Sequence, residues 1–128
     1  MKSLLDTHAL LWMVSSSGRL SEAARSAIAN ENNELFFSIA GYWEIGIKQS
    51  LGKLELETGW KEILPQEMTR NRIAWLPIEP KHVHEVVGLP WIHRDPFDRL
   101  MIAQARVEGL SFISRDRDLS KYGVAVVW

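Results

Sequence analysis

Short, nearly continuous apolar runs alternate along the chain with longer segments whose apolar positions recur every three or four residues. Leu4-Leu5 stops at Asp6 and leads into Ala9-Leu10-Leu11-Trp12-Met13, which reads as a strand and then a helix. Ser21 caps a helix from Glu22 to about Asn30, with Ala23, Ala24, Ala27 and Ile28 at helical spacing and Asn32-Asn33 beyond its end. Leu35-Phe36-Phe37-Ser38 is a second strand. Ala40 to Leu51 reads as a helix closed by Gly52, with Ile39, Trp43, Ile47 and Leu51 forming the stripe expected to face the core. Ile45 falls off that stripe, so it is expected to be exposed or covered by a partner. Trp60 to about Arg70 is a helix of weaker periodicity, and Ile73 to Ile78 is a third strand. Glu79-Pro80 starts a helix through Val87, and Asp95-Pro96 opens the clearest helix of the chain, running to Gly109. Leu110 to Ser114 and Val124 to Val127 are the last two strands.

Strands that alternate with helices build right-handed βαβ units, and strands apolar on both faces need helices on both sides. The fold class is therefore α/β, with a mainly parallel sheet. No repeat, low-complexity tract or Gly/Ser-rich linker divides residues 1–128, so a single domain is expected. In such sheets a ligand site forms beyond the carboxyl ends of the strands.

Composition narrows the chemistry. The 128 residues include no cysteine, which removes thiolate nucleophiles, iron–sulfur clusters and Cys-ligated zinc. The formal net charge of −1 argues against a bulk electrostatic nucleic-acid binder but allows a local basic groove. No run of about 18 apolar residues is present, so no membrane span is expected. Asp6 interrupts the N-terminal sequence before an apolar stretch of signal-peptide length, and the expected location is cytoplasmic.

Four acids stand out. Asp6 ends the first strand and Ser114-Arg115-Asp116 follows the fourth, so both carboxylates belong to one edge of the sheet. At about 100° per residue, Glu44 flanks the apolar stripe of its helix, and Asp98 heads the stripe of Met101, Ile102 and Ala105. Each acid also has an ordinary role. Asp6 would cap the next helix, Glu44 would pair with Lys48 four residues on, Asp98 would serve the helix dipole behind the Asp95 cap, and Asp116 would be a turn residue. Together the four would repel one another in one crevice unless a cation offset them. Oxygen-only donors select Mg²⁺ or Mn²⁺, and a carboxylate-held divalent ion suits phosphoryl chemistry.

Leu4-Leu5-Asp6-Thr7-His8-Ala9-Leu10-Leu11-Trp12, Trp43-Glu44-Ile45 with Ile47-Lys48, His93-Arg94-Asp95-Pro96-Phe97-Asp98-Arg99-Leu100 with Ile102-Ala103-Gln104-Ala105, and Ser114-Arg115-Asp116 resemble the motifs of PIN-domain proteins. The VapC-type toxins of toxin–antitoxin pairs are the branch they look like most. The resemblance implies a three-layer α/β/α fold and a Mg²⁺- or Mn²⁺-dependent endoribonuclease that hydrolyses RNA with metal-activated water. It carries the family's acidic quartet onto Asp6, Glu44, Asp98 and Asp116. Asp6 and Asp98 are then the principal metal ligands, and Asp118 is an alternative to Asp116. Where the family more often has Thr, this chain has Ser114, which keeps the hydroxyl. The resemblance also implies a homodimer and a VapB-type antitoxin whose tail covers the site. The alternative is a catalytically weak PIN-like module that binds RNA or protein. A phosphatase of the haloacid-dehalogenase type is disfavoured, because His8 stands where that family has a second Asp.

Arg99, Arg115 and Arg117 lie within two residues of these acids and Arg94 adjoins Asp95, and Arg94, Arg99, Arg115 and Ser114 are the expected substrate contacts. Salt bridges that orient the acids are the ordinary reading of the arginines. His8 is expected to be a hydrogen-bonded structural residue, and His82-x-His84 a surface pair that binds no zinc. Trp43 and Trp75 are expected in the core, while Trp12, Trp60, Trp91 and Trp128 partly serve an interface.

Overall fold

The computed structural model describes residues 1–128. Five strands, β1 (Lys2–Leu5), β2 (Glu34–Ser38), β3 (Ile73–Leu76), β4 (Ser111–Ile113) and β5 (Val126–Val127), form one sheet in the order β3-β2-β1-β4-β5. Every neighbouring pair is parallel. The helices are α1 (Thr7–Val14), α2 (Glu22–Ala29), α3 (Ile39–Ser50), α4 (Trp60–Arg70), α5 (Pro80–Val87) and α6 (Pro96–Glu108), with a 3₁₀ turn over Arg117–Tyr122 before β5. The expected third strand stops two residues early, where Pro77 supplies no N–H for a further ladder bond.

Alternation along the strands separates two cores. Leu5, Phe37 and Ile113 face the cluster containing Leu10, Ala24, Ile45 and Met68. Leu4 and Phe112 face the cluster of Met101, Ile102, Leu89 and Leu119. Helices therefore cover both faces, giving the three-layer α/β/α architecture. β1 lies between β2 and β4, and the chain leaves it in opposite directions on the two sides. That reversal of strand order opens a crevice at the carboxyl ends of β1 and β4.

α3 corrects the sequence expectation. Its large apolar stripe is turned outward, with Ile39, Trp43, Ile47 and Leu51 all exposed, Trp43 at 57% and Leu51 at 62%. The face against the protein is Ala40, Gly41, Glu44 and Ile45, and Ile45 is fully buried. Small residues allow this close seat: a Cβ on Gly41 would lie 2.8 Å from the Phe37 ring and 3.1 Å from Thr7 Oγ1. Trp43 packs edge-on against Phe97 of α6 instead of entering the core. Trp75, also expected in the core, is 38% exposed and packs against Phe37 and Tyr42.

His82, expected at the surface, is fully buried. Its Nδ1 accepts from the Glu79 N–H and its Nε2 faces Glu108 at 3.0 Å, which ties α5 to α6. Lys81 takes the same Glu108 oxygen at 2.9 Å, so protein partners satisfy this cluster.

Gly41→Ala is expected to lower stability by about 1–3 kcal/mol, because the added methyl overpacks the α3 seat and outweighs the better helix propensity of Ala. Urea denaturation checks this. An unchanged midpoint would mean that α3 can retreat from Phe37 at no cost.

Candidate metal and phosphate site

Asp6 follows β1 as the N-cap of α1. One of its oxygens accepts from the Thr7 N–H at 2.7 Å and the other from the Ser114 hydroxyl at 2.8 Å. Its capping role is therefore real, and it leaves the carboxylate at the mouth of the crevice. Ser114 is buried after β4 and also accepts from the Asp116 N–H. A single hydroxyl thus links the acid after β1 to the loop that carries Asp116.

Glu44 enters from α3 with 4% exposure. It accepts from Thr7 Oγ1 at 2.7 Å and from Lys48 Nζ at 2.6 Å. The Lys48 pair expected of a surface glutamate exists, but here it neutralises a buried one. Asp95 caps α6 by accepting from the Phe97 and Asp98 N–H groups. One carboxylate oxygen from each of Glu44, Asp95 and Asp98 lies within 4.8 Å of the others. The Asp98 carboxyl has no hydrogen-bonded partner. Burial first, then the charges of Asp95, Asp6 and Glu44, push its carboxyl up to about 7. Burial also raises Asp6, against the opposing hydrogen bond from Ser114. Desolvation of Lys48 is outweighed by Glu44, Asp95 and Asp98, which hold its ammonium charged.

Asp116 lies with Asp6, His8, Trp12 and Arg115 around an open pocket of about 350 Å³. One Asp116 oxygen contacts His93 Nε2 at 2.6 Å, while Tyr122 Oη meets His93 Nδ1 at 2.8 Å. With the tyrosine donating to Nδ1, the imidazole carries its proton on Nε2 and donates it to the carboxylate. Asp118, the alternative to Asp116, is exposed and pairs with Lys121 at 3.1 Å.

Of the expected substrate contacts, Arg94 and Arg115 are exposed. Arg99 is not available: it is 4% exposed and donates to the carbonyls of Pro90, His93, Val86 and Leu89. Trp91 covers its guanidinium at 3.8 Å. It fixes the segment leading to Asp95 instead of contacting phosphate. His8, expected to be hydrogen-bonded, is exposed and stacks on Trp12.

Sequence reasoning missed Asp95, Thr7, Lys48 and His93 as members of this site. The Asp95/Asp98 spacing carried the signal, since residues three apart on a helix are neighbours. Thr7 and His93 gave none, because their partners lie 37 and 23 residues away.

The Asp98 shift makes a pH prediction. In the folded chain this carboxyl holds its proton up to about 7, and unfolded only to 3.8, so the folded state binds more protons between those values. Stability present below the unfolded value is therefore lost as pH rises through the folded one. In EDTA, Asp98→Asn should match the unsubstituted protein at pH 4 and exceed it at pH 8. Solvent screening at the half-open site reduces the gain to roughly 1–2 kcal/mol. Denaturant midpoints across that range check it, and a gap that does not widen with pH would refute the assignment.

The sequence model of the PIN domain matches residues 3–125. A search of curated proteins gives no significant match. Among solved structures, the fold is similar to a chain of VapBC2 from Rickettsia felis, crystallised with a DNA fragment from their promoter. That match has 12% identity and a TM-score of 0.72, over 98% of this chain and 97% of that one. A chain of VapBC-1 from nontypeable Haemophilus influenzae matches at 18% identity and a TM-score of 0.66, over 98% and 96%. FitAcB from Neisseria gonorrhoeae matches at 17% identity and a TM-score of 0.54, over 97% and 95%. With a family match over nearly its whole length and the acids at the strand ends, the chain belongs to the PIN domain family.

Proposed function

We propose that the chain is a divalent-metal-dependent endoribonuclease and the toxin of a toxin–antitoxin pair, located in the cytoplasm. The observation that carries this reading is the convergence of Glu44, Asp95 and Asp98 beside Asp6, with the Asp98 carboxyl driven to about 7 by burial first and then by these neighbouring charges. The donor set fits Mg²⁺ or Mn²⁺: it is all oxygen, predominantly carboxylate, and has a local excess of negative charge. Asp6 and Asp98 would be the principal ligands, with Glu44 and Asp95 beside them and Asp116 completing the acidic rim. When bound, such an ion lowers the pKa of water and stabilises charge developing on a phosphate.

The protein's own groups prepare this site. Thr7 and Lys48 hold the Glu44 carboxylate from two sides, and Ser114 holds Asp6. His93 orients Asp116, and exposed Arg115 offers a fork of donors to a phosphate on the pocket wall. Family membership supports nuclease activity, and the VapBC and FitAcB likenesses support an antitoxin partner. The exposed Ile39, Trp43, Ile47 and Leu51 stripe supports a homodimer, since contiguous apolar faces mark interfaces.

With Mg²⁺, the protein should cleave RNA to 5′-phosphate and 3′-hydroxyl ends. Asp6→Asn and Asp98→Asn should each slow cleavage roughly a hundred- to a thousandfold without loss of fold. Asp116→Asn should impair cleavage where Asp118→Asn does not. End-mapped products on total RNA check these outcomes. 2′,3′-cyclic phosphate ends, or cleavage in excess EDTA, would overturn the metal-hydrolysis reading. Normal folding and RNA binding with no cleavage by the unsubstituted chain would favour the binding-module alternative.

Sedimentation at micromolar concentration should show a dimer that Leu51→Glu weakens. A monomer at that concentration removes the dimer.

A further inference from the structure

The pocket lined by Asp6, His8, Trp12, Arg115 and Asp116 has an aromatic wall that the acid chemistry does not use. His8 lies two residues beyond Asp6, is exposed, and its ring has no hydrogen-bond partner in the protein. It lies over Trp12 with ring centroids 5.5 Å apart and planes 26° from parallel. Trp12 is braced in turn by Trp128 at 5.7 Å. A structural histidine would be buried or hydrogen-bonded, as His82 and His93 are here. An exposed imidazole held flat by an indole is instead a planar surface for another ring.

Arg115 stands on the same pocket as that surface, next to the carboxylates. Phosphate-binding guanidinium and stacking ring together match one nucleotide unit, since unstacked bases of single-stranded RNA settle on aromatic faces while their phosphates pair with arginine. His8 and Trp12 also border the adjoining apolar groove of Leu11, Leu54, Leu56 and Ile63, where a peptide would sit, but that groove is lined by neither Arg115 nor Asp6 and Asp116, so the rings meet Arg115 and these acids only on the pocket side. We propose that His8, backed by Trp12, is the stacking platform for a nucleobase adjoining the scissile phosphate. This rests on the nuclease reading and adds to it where the substrate base lies.

The test is a binding measurement, so it stands apart from catalysis. Fluorescence anisotropy in Mg²⁺ compares a phosphorothioate-linked adenosine ribo-dodecamer, which resists hydrolysis, with an abasic dodecamer of the same backbone. The unsubstituted protein should bind the adenosine strand about five- to a hundredfold tighter than the abasic one. His8→Ala should lose most of that ratio by weakening only the adenosine strand, and His8→Phe should retain it within about threefold. Unchanged thermal midpoints establish that these surface variants fold. Equal affinity of the unsubstituted protein for both strands would overturn the proposal, as would a His8→Ala loss shared by both. A His8→Ala variant that binds both strands normally but loses a protein partner would assign the surface to that partner and overturn it too. Absence of RNA cleavage by the unsubstituted protein in Mg²⁺ would remove the nuclease reading, whereas the adenosine-to-abasic ratio tests the stacking surface by itself.

Discussion

Carboxylates gathered at low exposure repel one another, and the arrangement of this molecule around its crevice follows from that constraint. Almost every acid there has been given a donor. Glu44 has Thr7 and Lys48, Asp6 has Ser114 and the Thr7 N–H, Asp116 has His93, and Asp95 has the first amides of α6. The Asp98 carboxyl alone has no donor, and burial, reinforced by the accumulated charge, keeps its proton on up to about 7. Hydrogen bonds to an ionised group are worth more than neutral ones, and losing one partner leaves a buried charge exposed to the full desolvation penalty. The supporting donors are therefore as necessary to the site as the acids.

These pairings dictate how the layers dock. Thr7 must reach Glu44, so α1 and α3 approach closely, and Gly41 and Ala40 provide the room. Ser114 must reach Asp6, so the chain ends of β1 and β4 have to be adjacent, which the β3-β2-β1-β4-β5 order provides. Gln104 ties α6 to the rest by donating to the Pro77 carbonyl and accepting from Ser38 Oγ, the residue that caps α3. One polar side chain in the core thus sets the position of α3 against α6, and with it the distance between Glu44 and Asp98.

The succession of strands and helices, their approximate boundaries and the carboxyl-end location of Asp6 and Asp116 were legible because period and capping residues are local signals, whereas the β3-β2-β1-β4-β5 order was not. Residues that act through distant partners were not. α3 shows why: its strongest apolar periodicity marks the outward face, because the inward face is chosen by small residues and by a glutamate that the site requires. A periodicity argument weights side-chain size, whereas close helix packing selects for its absence. Arg99 failed for a related reason. Proximity in sequence to an acid suggested phosphate, but the end of α5 turns the Val86 carbonyl and the loop before Asp95 those of Leu89, Pro90 and His93 inward, and a buried guanidinium is the group that can serve them. His93 illustrates the converse, a residue inside a recognised motif whose role depends on Tyr122 in a turn that no apolar pattern announced.

The net charge of −1 also acquires a different meaning. Spread evenly, it would leave the protein indifferent to a polyanion. Here Asp6, Glu44, Asp95, Asp98 and Asp116 concentrate at one end of the sheet, offset locally by Lys48 and by the exposed Arg94 and Arg115 around them. A phosphate approaching the acids alone meets repulsion, which the divalent ion of the proposed function would offset. Arginines at the rim can fix a strand's register but cannot by themselves reverse the sign at the centre. On the proposed nuclease reading, the contacts left to fix where a strand is held beside the acids would be the stacked rings of His8 and Trp12.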